Sequence, residues 1–321
     1  MKPDVTLPEV CELAQAMTWK LFCHGQPTGG AKAGIRIDPQ HEDALPLLEY
    51  FGREISHILS SRVVLGKDMG ATDTLMEHLY SSAGVSQLAP LGPMDLSWLR
   101  EFKGYRRHMT GLGIAIATSE ALGNSRLDGL RVAIQGAGVV GVGAAVRLSR
   151  LGASIVAMSD MERCIVWEDG VSVGDLEERA GATRDLSTMM GVVAGSREAL
   201  FDQPVDVIVL AASSYSVSQK NVESISAPLV VEGANMAFQA GGRSLAFQRR
   251  LKVIPDVIAS SSSAGMVCSQ LALKGAWEED ALWERLTAGI SEAVALGTEV
   301  AQQKGITLRE AHIQRCGSKS P

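Results

Sequence analysis

The sequence has no paired cysteines, no apolar run long enough for a membrane and no surplus of positive charge, and each absence removes a class of function. Its five cysteines, Cys11, Cys23, Cys164, Cys268 and Cys316, are far apart and odd in number. Their spacing fits neither a disulfide framework nor a zinc site, so they read as reduced thiols in a cytoplasm. No stretch approaches the ~20 apolar residues that span a bilayer. The opening Met1-Lys2-Pro3-Asp4-Val5 also lacks the apolar core of a signal peptide. A soluble, cytoplasmic protein with no membrane partner is expected. Lysine and arginine number 30 against 36 aspartates and glutamates, a net charge of -6, which disfavours nucleic acid and anionic membrane surfaces. A small-molecule ligand is the expected partner. The six histidines include no pair at metal-ligand spacing, so no metal site is expected.

What is present is 321 residues, 46% of them hydrophobic, enough for two cores. Thr6-Leu7-Pro8-Glu9 has the spacing of a capping box, and Val10, Leu13, Ala14, Met17 and Leu21 form the stripe of the helix it opens. Lys20 falls at the border of that stripe, where a lysine ordinarily packs its stem and snorkels its ammonium outward. Short strands are expected at Ile35-Arg36-Ile37 and from Arg62 to Leu65, with a helix through Leu47, Leu48, Phe51, Ile55 and Ile58 between them. Another helix runs from Thr74 to Tyr80. A looser segment from Leu88 to Arg107 leads to Thr110-Gly111-Leu112-Gly113 and a further helix.

From Arg131 onward, apolar strands alternate with helices: Val132 to Gln135, Ile155 to Ser159, Asp206 to Ala212, Leu229 to Glu232 and Val253 to Ile254. This order predicts an α/β fold, a doubly wound parallel sheet of the Rossmann type, beside a shortened α/β N-terminal domain. The domains expected are 1–112 for substrate and assembly, 113–265 for a dinucleotide, and 266–321 as C-terminal helices returning toward the first domain.

Gly136-Ala137-Gly138-Val139-Val140-Gly141 lies between a strand and a helix, the setting in which G-x-G-x-x-G carries meaning. The first glycine permits the tight turn, the second admits a pyrophosphate, and the third allows close packing, with the helix N-terminus favouring the anion. Asp160, at the end of the next strand, is placed to accept hydrogen bonds from ribose hydroxyls. Its carboxylate favours NAD over NADP, although Arg163 three residues on offsets that preference. Ahead of this unit, Gly29-Gly30-Ala31-Lys32-Ala33-Gly34 surrounds Lys32 with peptide groups and leaves room for a ligand, and Asp68-Met69-Gly70 supplies a carboxylate. A lysine base and an aspartate facing a nicotinamide ring are one reading; a tight turn with a solvated lysine is the other.

Taken together the chain resembles the glutamate, leucine, phenylalanine and valine dehydrogenase family, glutamate dehydrogenase somewhat more than the rest. The anchors are Met17-Thr18-Trp19-Lys20, Gly29 to Ile35 with Asp38-Pro39, Asp68-Met69-Gly70, Thr110-Gly111, Gln135 to Gly141, Ser159-Asp160, Ala211-Ala212, Val231 to Asn235 and Ile254-Pro255-Asp256. The resemblance implies an NAD(P)-dependent oxidoreductase that interconverts an L-amino acid with its 2-oxo acid and ammonia. Lys32 and Asp68 would be catalytic, with Lys20, Gly30 and Val267 or Ser269 at the substrate. Thr110, Gly136, Gly138, Val139, Val140, Gly141, Asp160, Arg163, Ala211, Ala212 and Asn235 would hold the cofactor. It also implies assembly into a homo-oligomer, for which a dimer is the expectation.

Two departures stand beside the likeness. The family has a further glycine-rich stretch with a substrate lysine ahead of the point where this chain starts. It also has Asn-Ala-Gly-Gly where this chain has Ser260 to Ser263. The alternatives are a non-catalytic or regulatory paralogue that keeps the fold, or a Rossmann enzyme of altered reaction in a specialised pathway. Ungapped alignment puts Val267 where the family has its pocket serine, with Ser269 two residues later, and an apolar residue there favours an apolar side chain over a carboxylate.

Overall fold

The computed structural model describes residues 1–26, 28–87, 108–176, 178, 186–187, 189–266 and 279–318. Helix α1 (Leu7–Cys23) starts where the sequence places it: the Thr6 hydroxyl accepts from the Glu9 N–H at 3.3 Å, and Pro8 occupies the first turn. α2 (Ala44–Glu54) runs into a further turn, Ser56–Leu59, and α3 (Asp73–Ala83) is capped by Thr72 and stopped by Gly84 in the left-handed conformation. Leu48, Leu59, Leu79 and Tyr80 bury a small core between these helices.

The strands expected at 35–37 and 62–65 do not form: neither segment joins a ladder, Ile37 N–H turns back to the Ile35 carbonyl, and Arg62 and Val63 N–H both bond the Ile58 carbonyl. Their backbone groups find other partners. The Tyr80 hydroxyl accepts from the Leu65 N–H at 2.8 Å and donates to the Leu65 carbonyl at 2.9 Å, and the Ile35 carbonyl accepts from Lys2 N–H. A side chain thus stands where a neighbouring strand would be, and an isolated strand has nothing else to hold it.

α4 (Met109–Leu122) is buried on most of its circumference. The chain then forms β1 (Arg131–Gln135), α5 (Val139–Arg150), β2 (Ser154–Ser159), β3 (Arg163–Val166), β4 (Val192–Ser196), β5 (Val207–Leu210), α6 (Gln219–Ser224), β6 (Leu229–Glu232), α7 (Gly242–Gln248), β7 (Lys252–Ile254) and α8 (Asp256–Ala259). The long α9 (Glu279–Lys304) and α10 (Leu308–Ser318) complete it. Seven strands lie in the order β4-β3-β2-β1-β5-β6-β7. Five are parallel, as the alternation predicts, whereas β3 and β4 form an antiparallel edge that the sequence reading did not anticipate. All five residues of β4 are exposed, so it carries no burial pattern to read.

Glycine decides how α4 meets the sheet's helical layer: a methyl at Gly111 would overlap the Gly143 backbone of α5, and one at Gly113 would strike Ser262. α9 packs along α4 and, through its neighbour α10, reaches α1. His312 of α10 is buried and donates from Nε2 to the Trp19 carbonyl at 2.9 Å, while His24 hydrogen-bonds Ser261 at 2.9 Å.

Burial lowers both imidazoles to about 4. The unfolded chain takes up protons below its ordinary histidine value that the folded chain refuses until the lower one. Stability is therefore complete above about pH 6.5 and falls by a few kcal/mol as pH drops toward about 4. Urea unfolding across that window measures it. In His312→Gln, the slope between about pH 6.5 and about pH 5, above the carboxylate range, should fall by roughly half. An unchanged slope would remove His312 from the account.

Candidate active site

The parallel strands end in register. Gln135 of β1 pairs with Ser159 of β2 and Leu210 of β5, and Leu210 pairs with Glu232 of β6. The residues that follow, Gly136, Asp160, Ala211 and Gly233, therefore leave the sheet along one edge. β1 lies at the point where the chain goes first to β2 on one side and later to β5 on the other, the crevice in which open α/β sheets bind ligands.

The three fingerprint glycines do different things there. Gly136 has φ +101°, and a Cβ on it would come within 2.8 Å of the Ala211 carbonyl and the Ala212 Cα. A methyl at Gly141 would overlap the Gly136 carbonyl. Gly138 caps α5, and among the described residues no atom beyond its chain neighbours lies within 4 Å of where its Cβ would be. Two of the glycines are thus required by the protein's own packing, and the third leaves space open at a helix N-terminus beside Val139 and Val140. That cradle fits a dinucleotide pyrophosphate. Ala211 is buried and its N–H bonds the Gln135 carbonyl, while Ala212 is exposed at the mouth.

Asp160 is more committed than its sequence position suggests. Its Oδ1 accepts from the N–H groups of Glu162 and Arg163, both at 2.8 Å, and its Oδ2 accepts from Leu186 N–H at 3.0 Å. The carboxylate organises the turn into β3. Arg163 approaches it at 3.9 Å and pairs with Glu162 at 2.8 Å.

On the other side of the crevice, Gly30 lies directly on α1. Its N–H bonds the Thr18 hydroxyl at 2.8 Å, and a methyl would overlap the Ala14 carbonyl and Met17 Cβ. This seats the loop bearing Lys32 against the helix bearing Lys20. The Lys32 ammonium is in direct contact with the Asp68 carboxylate. Burial acts to raise the Asp68 carboxyl, but the Lys32 charge and the hydrogen bonds from Lys32 and Met69 N–H hold it below the usual range.

Lys20 does not snorkel: it is 7% exposed and donates to Asn235 Oδ1 at 2.6 Å. Burial lowers it to about 8, against the attraction of Asp256 and Asp68. Asp256 opens α8 and is fully buried. It is in contact with Arg309 of α10 and accepts from Met236 N–H at 3.1 Å. Burial would raise its carboxyl, but the charges of Arg309, Lys20 and Arg243 hold it low. Arg309 also lies 5.3 Å from the centre of the Trp19 ring, next to Lys20 on α1. Neither Asp256 nor Arg309 was assigned a role from sequence. The Ile254-Pro255-Asp256 motif was a signal for the first, and nothing local singled out the second.

The serine run is packed instead of open. Ser260 and Ser261 donate to the carbonyls of Asp256 and Ile258, Ser262 donates to Met109, and Ser263 hydrogen-bonds Thr110 at 2.9 Å. The Thr110 hydroxyl at the start of α4 is thereby already partnered. Val267 and Ser269 lie outside the described residues.

Residues 104–316 match the model of the Glutamate/Leucine/Phenylalanine/Valine dehydrogenase family, and residues 1–83 match its dimerisation domain. The chain is 28% identical to an NADP(+)-dependent glutamate dehydrogenase of Pyrobaculum calidifontis over 97% of this chain and 78% of that one. It is 29% identical to an NAD-specific glutamate dehydrogenase A of Halobacterium salinarum over 96% of this chain and 73% of that one. The hetero-hexameric glutamate dehydrogenase of Thermus thermophilus superposes with a TM-score of 0.78 at 24% identity, covering 98% of this chain and 77% of that one. With the glycine cradle at the strand ends and Lys32 on Asp68 across from it, these matches make the chain a member of the Glutamate/Leucine/Phenylalanine/Valine dehydrogenase family of NAD(P)-dependent amino-acid oxidoreductases.

Proposed function

We propose that this chain oxidatively deaminates an L-amino acid and reductively aminates the 2-oxo acid, with Lys20, Lys32 and Asp68 at the substrate. The observation that carries the reading is the Lys32–Asp68 contact together with a buried Lys20 that both of them influence. A nicotinamide dinucleotide, when bound, supplies the hydride acceptor. Lys20 holds the α-carboxylate. Asp68 takes a proton from the substrate amino group as Cα is oxidised to the imine. Lys32, once its ammonium has released a proton to solvent, takes a proton from water as the water oxygen attacks that carbon; the proton held by Asp68 returns to nitrogen, and ammonia leaves as the new hydroxyl gives up its proton and becomes the carbonyl. The open space at Gly138, with Val139, Val140 and Gly141 in the first turn of α5, receives the pyrophosphate. Thr110, Ala211, Ala212 and Asn235 line the path to the nicotinamide end.

Asp160 and Arg163 stand at the adenine ribose, and we favour NAD because the carboxylate repels a 2′-phosphate. The division at residue 112 falls inside α4, which packs in the dinucleotide core from Met109 on. We keep 1–112 as the substrate and assembly domain, 113–265 as the dinucleotide domain and 266–321 as the C-terminal helical segment. Assembly as a homodimer through residues 1–83 is supported by their match to a dimerisation domain. Among the described residues no helix is long and apolar enough to cross a membrane, and the four described cysteines are free, which supports a cytoplasmic setting.

Glutamate is the first substrate to try, since the relatives are named for it, and the apolar Val267 makes an aliphatic amino acid the second. Absorbance of reduced nicotinamide with a panel of L-amino acids, NAD and NADP is the test. Turnover on any amino acid supports the reading, and tight cofactor binding without turnover overturns it in favour of a paralogue that has lost catalysis. The pH profile tests Lys20 itself. A carboxylate needs the ammonium, which burial releases at about 8. The KM for the amino acid should therefore rise about tenfold per pH unit above that point. Lys20→Arg should flatten the rise, because a guanidinium keeps its proton.

A further inference from the structure

A cavity of about 690 Å³ lies away from the crevice, between α7, the edge strand β7, the end of α9 and the start of α10. Four cationic side chains line it, Arg243, Arg250, Lys252 and Arg309, and among the described residues no carboxylate does. This is an unusual concentration in a chain whose net charge is -6. The counter-charges of two of them sit below the floor. Arg243 is bidentate to buried Glu232 at 2.5 and 2.9 Å, and Arg309 contacts buried Asp256. The other two are not neutralised. Lys252 donates to the Ala121 carbonyl at 2.5 Å, an uncharged partner, and among the described residues Arg250 makes no ion pair. The carboxylate of α10, Glu310, accepts from the Thr307 N–H and hydroxyl at 2.8 and 2.7 Å and its charge also acts on Arg243, which leaves Arg250 and Lys252 as the two cations without a carboxylate among the described residues.

The walls between these charges are apolar: Phe247, which is 44% exposed, with Val253, Ala301, Ile306 and Leu308. A bare inorganic anion would lose hydration against those walls, and a neutral apolar molecule would leave the cations unanswered. The volume falls within the range of small-molecule sites.

We propose that this cavity is an effector site for a small amphipathic organic anion, one acidic group on an apolar body. Its route to the crevice is short. Arg309 holds Asp256 and covers Trp19, and the Asp256 charge acts on Lys20. An anion that draws Arg309 toward itself leaves Asp256 freer to hold the Lys20 ammonium in competition with the substrate carboxylate. The effector role rests on the dehydrogenase reading; binding does not.

Calorimetry with 4-phenylbutyrate on the cofactor-saturated protein tests binding without turnover. One site per chain is expected, retained in Lys20→Ala. Affinity should be weakened about tenfold or more in Arg250→Glu with Lys252→Glu, and also in Gln302→Glu on the facing wall. Gln302→Glu adds a charge at an exposed position and removes no contact the fold uses. Inorganic phosphate should bind at least about tenfold more weakly. Undiminished affinity in both variants, loss of binding in Lys20→Ala, or phosphate binding as well as 4-phenylbutyrate would overturn the site. With the probe saturating, the amino-acid KM should rise about threefold or more in the native chain and stay unchanged in the double variant. An unchanged KM at full occupancy overturns the effector role.

Discussion

Lys32→Ala is expected to lower kcat by about a thousandfold or more while cofactor affinity stays within a few-fold. The two effects separate because Lys32 is on the loop that Gly30 seats against α1, across the crevice from the glycine cradle at the end of β1. Its ammonium touches Asp68, and its side chain is 19% exposed, open enough for water and covered enough to be held. Removing it takes away the amine that activates water once its proton has been released, and, in the resting pair, the cation that keeps Asp68 ionised. The Asp68 carboxyl, with burial then unopposed by its strongest neighbour, moves upward. Any residual rate should therefore show its acid limb at higher pH than the native enzyme. Lys32→Arg is not expected to restore turnover, since a guanidinium stays charged and offers no lone pair to a water proton. Stopped-flow turnover and calorimetric cofactor binding on the same preparations make the comparison. A parallel loss of cofactor affinity would sink the assignment, and so would a kcat within about tenfold of native.

The contrast between Lys32 and Lys20 shows where sequence reasoning reached and where it stopped. Lys32 was legible because its signal is local: glycines on both sides and an aspartate in a second glycine turn. Lys20 was placed at the margin of a helical stripe, where the usual lysine snorkels. Its burial comes from α8 and α10, which arrive more than two hundred residues later with Asp256 and Arg309, and helical periodicity carries no record of them. Asp160 shows the converse. Its position directly after β2 is as expected, but its carboxylate takes two main-chain N–H groups from the turn into β3, a strand of four residues with no period to detect, and a third from Leu186, 26 residues on. The segments at 35–37 and 62–65 read like strands in the sequence, yet a ladder needs a partner, and Tyr80 takes that place at Leu65.

The fingerprint makes the second strong prediction, because its glycines are not equivalent. Gly138 has extended backbone, with φ -78° and ψ -174°, which any residue adopts, and among the described residues nothing beyond its chain neighbours lies within 4 Å of its missing Cβ. Gly138→Val should therefore fold with near-native stability. Its isopropyl group would occupy the volume at the start of α5 where the pyrophosphate approaches the backbone. Losing two charge-assisted hydrogen bonds at about 1.5–3 kcal/mol each lowers cofactor affinity by about a hundredfold or more. Gly141→Ala behaves differently: its methyl meets the Gly136 carbonyl, so the variant should lose stability first, by about 1–3 kcal/mol, and cofactor affinity only as a consequence. Thermal unfolding and cofactor titration of the two variants separate these outcomes. If Gly138→Val binds the dinucleotide normally, the open space at α5 is not its cradle. If Gly138→Val instead unfolds, the space is needed by the chain itself, and the site must be sought elsewhere along the edge formed by Ser159, Gln135, Leu210 and Glu232.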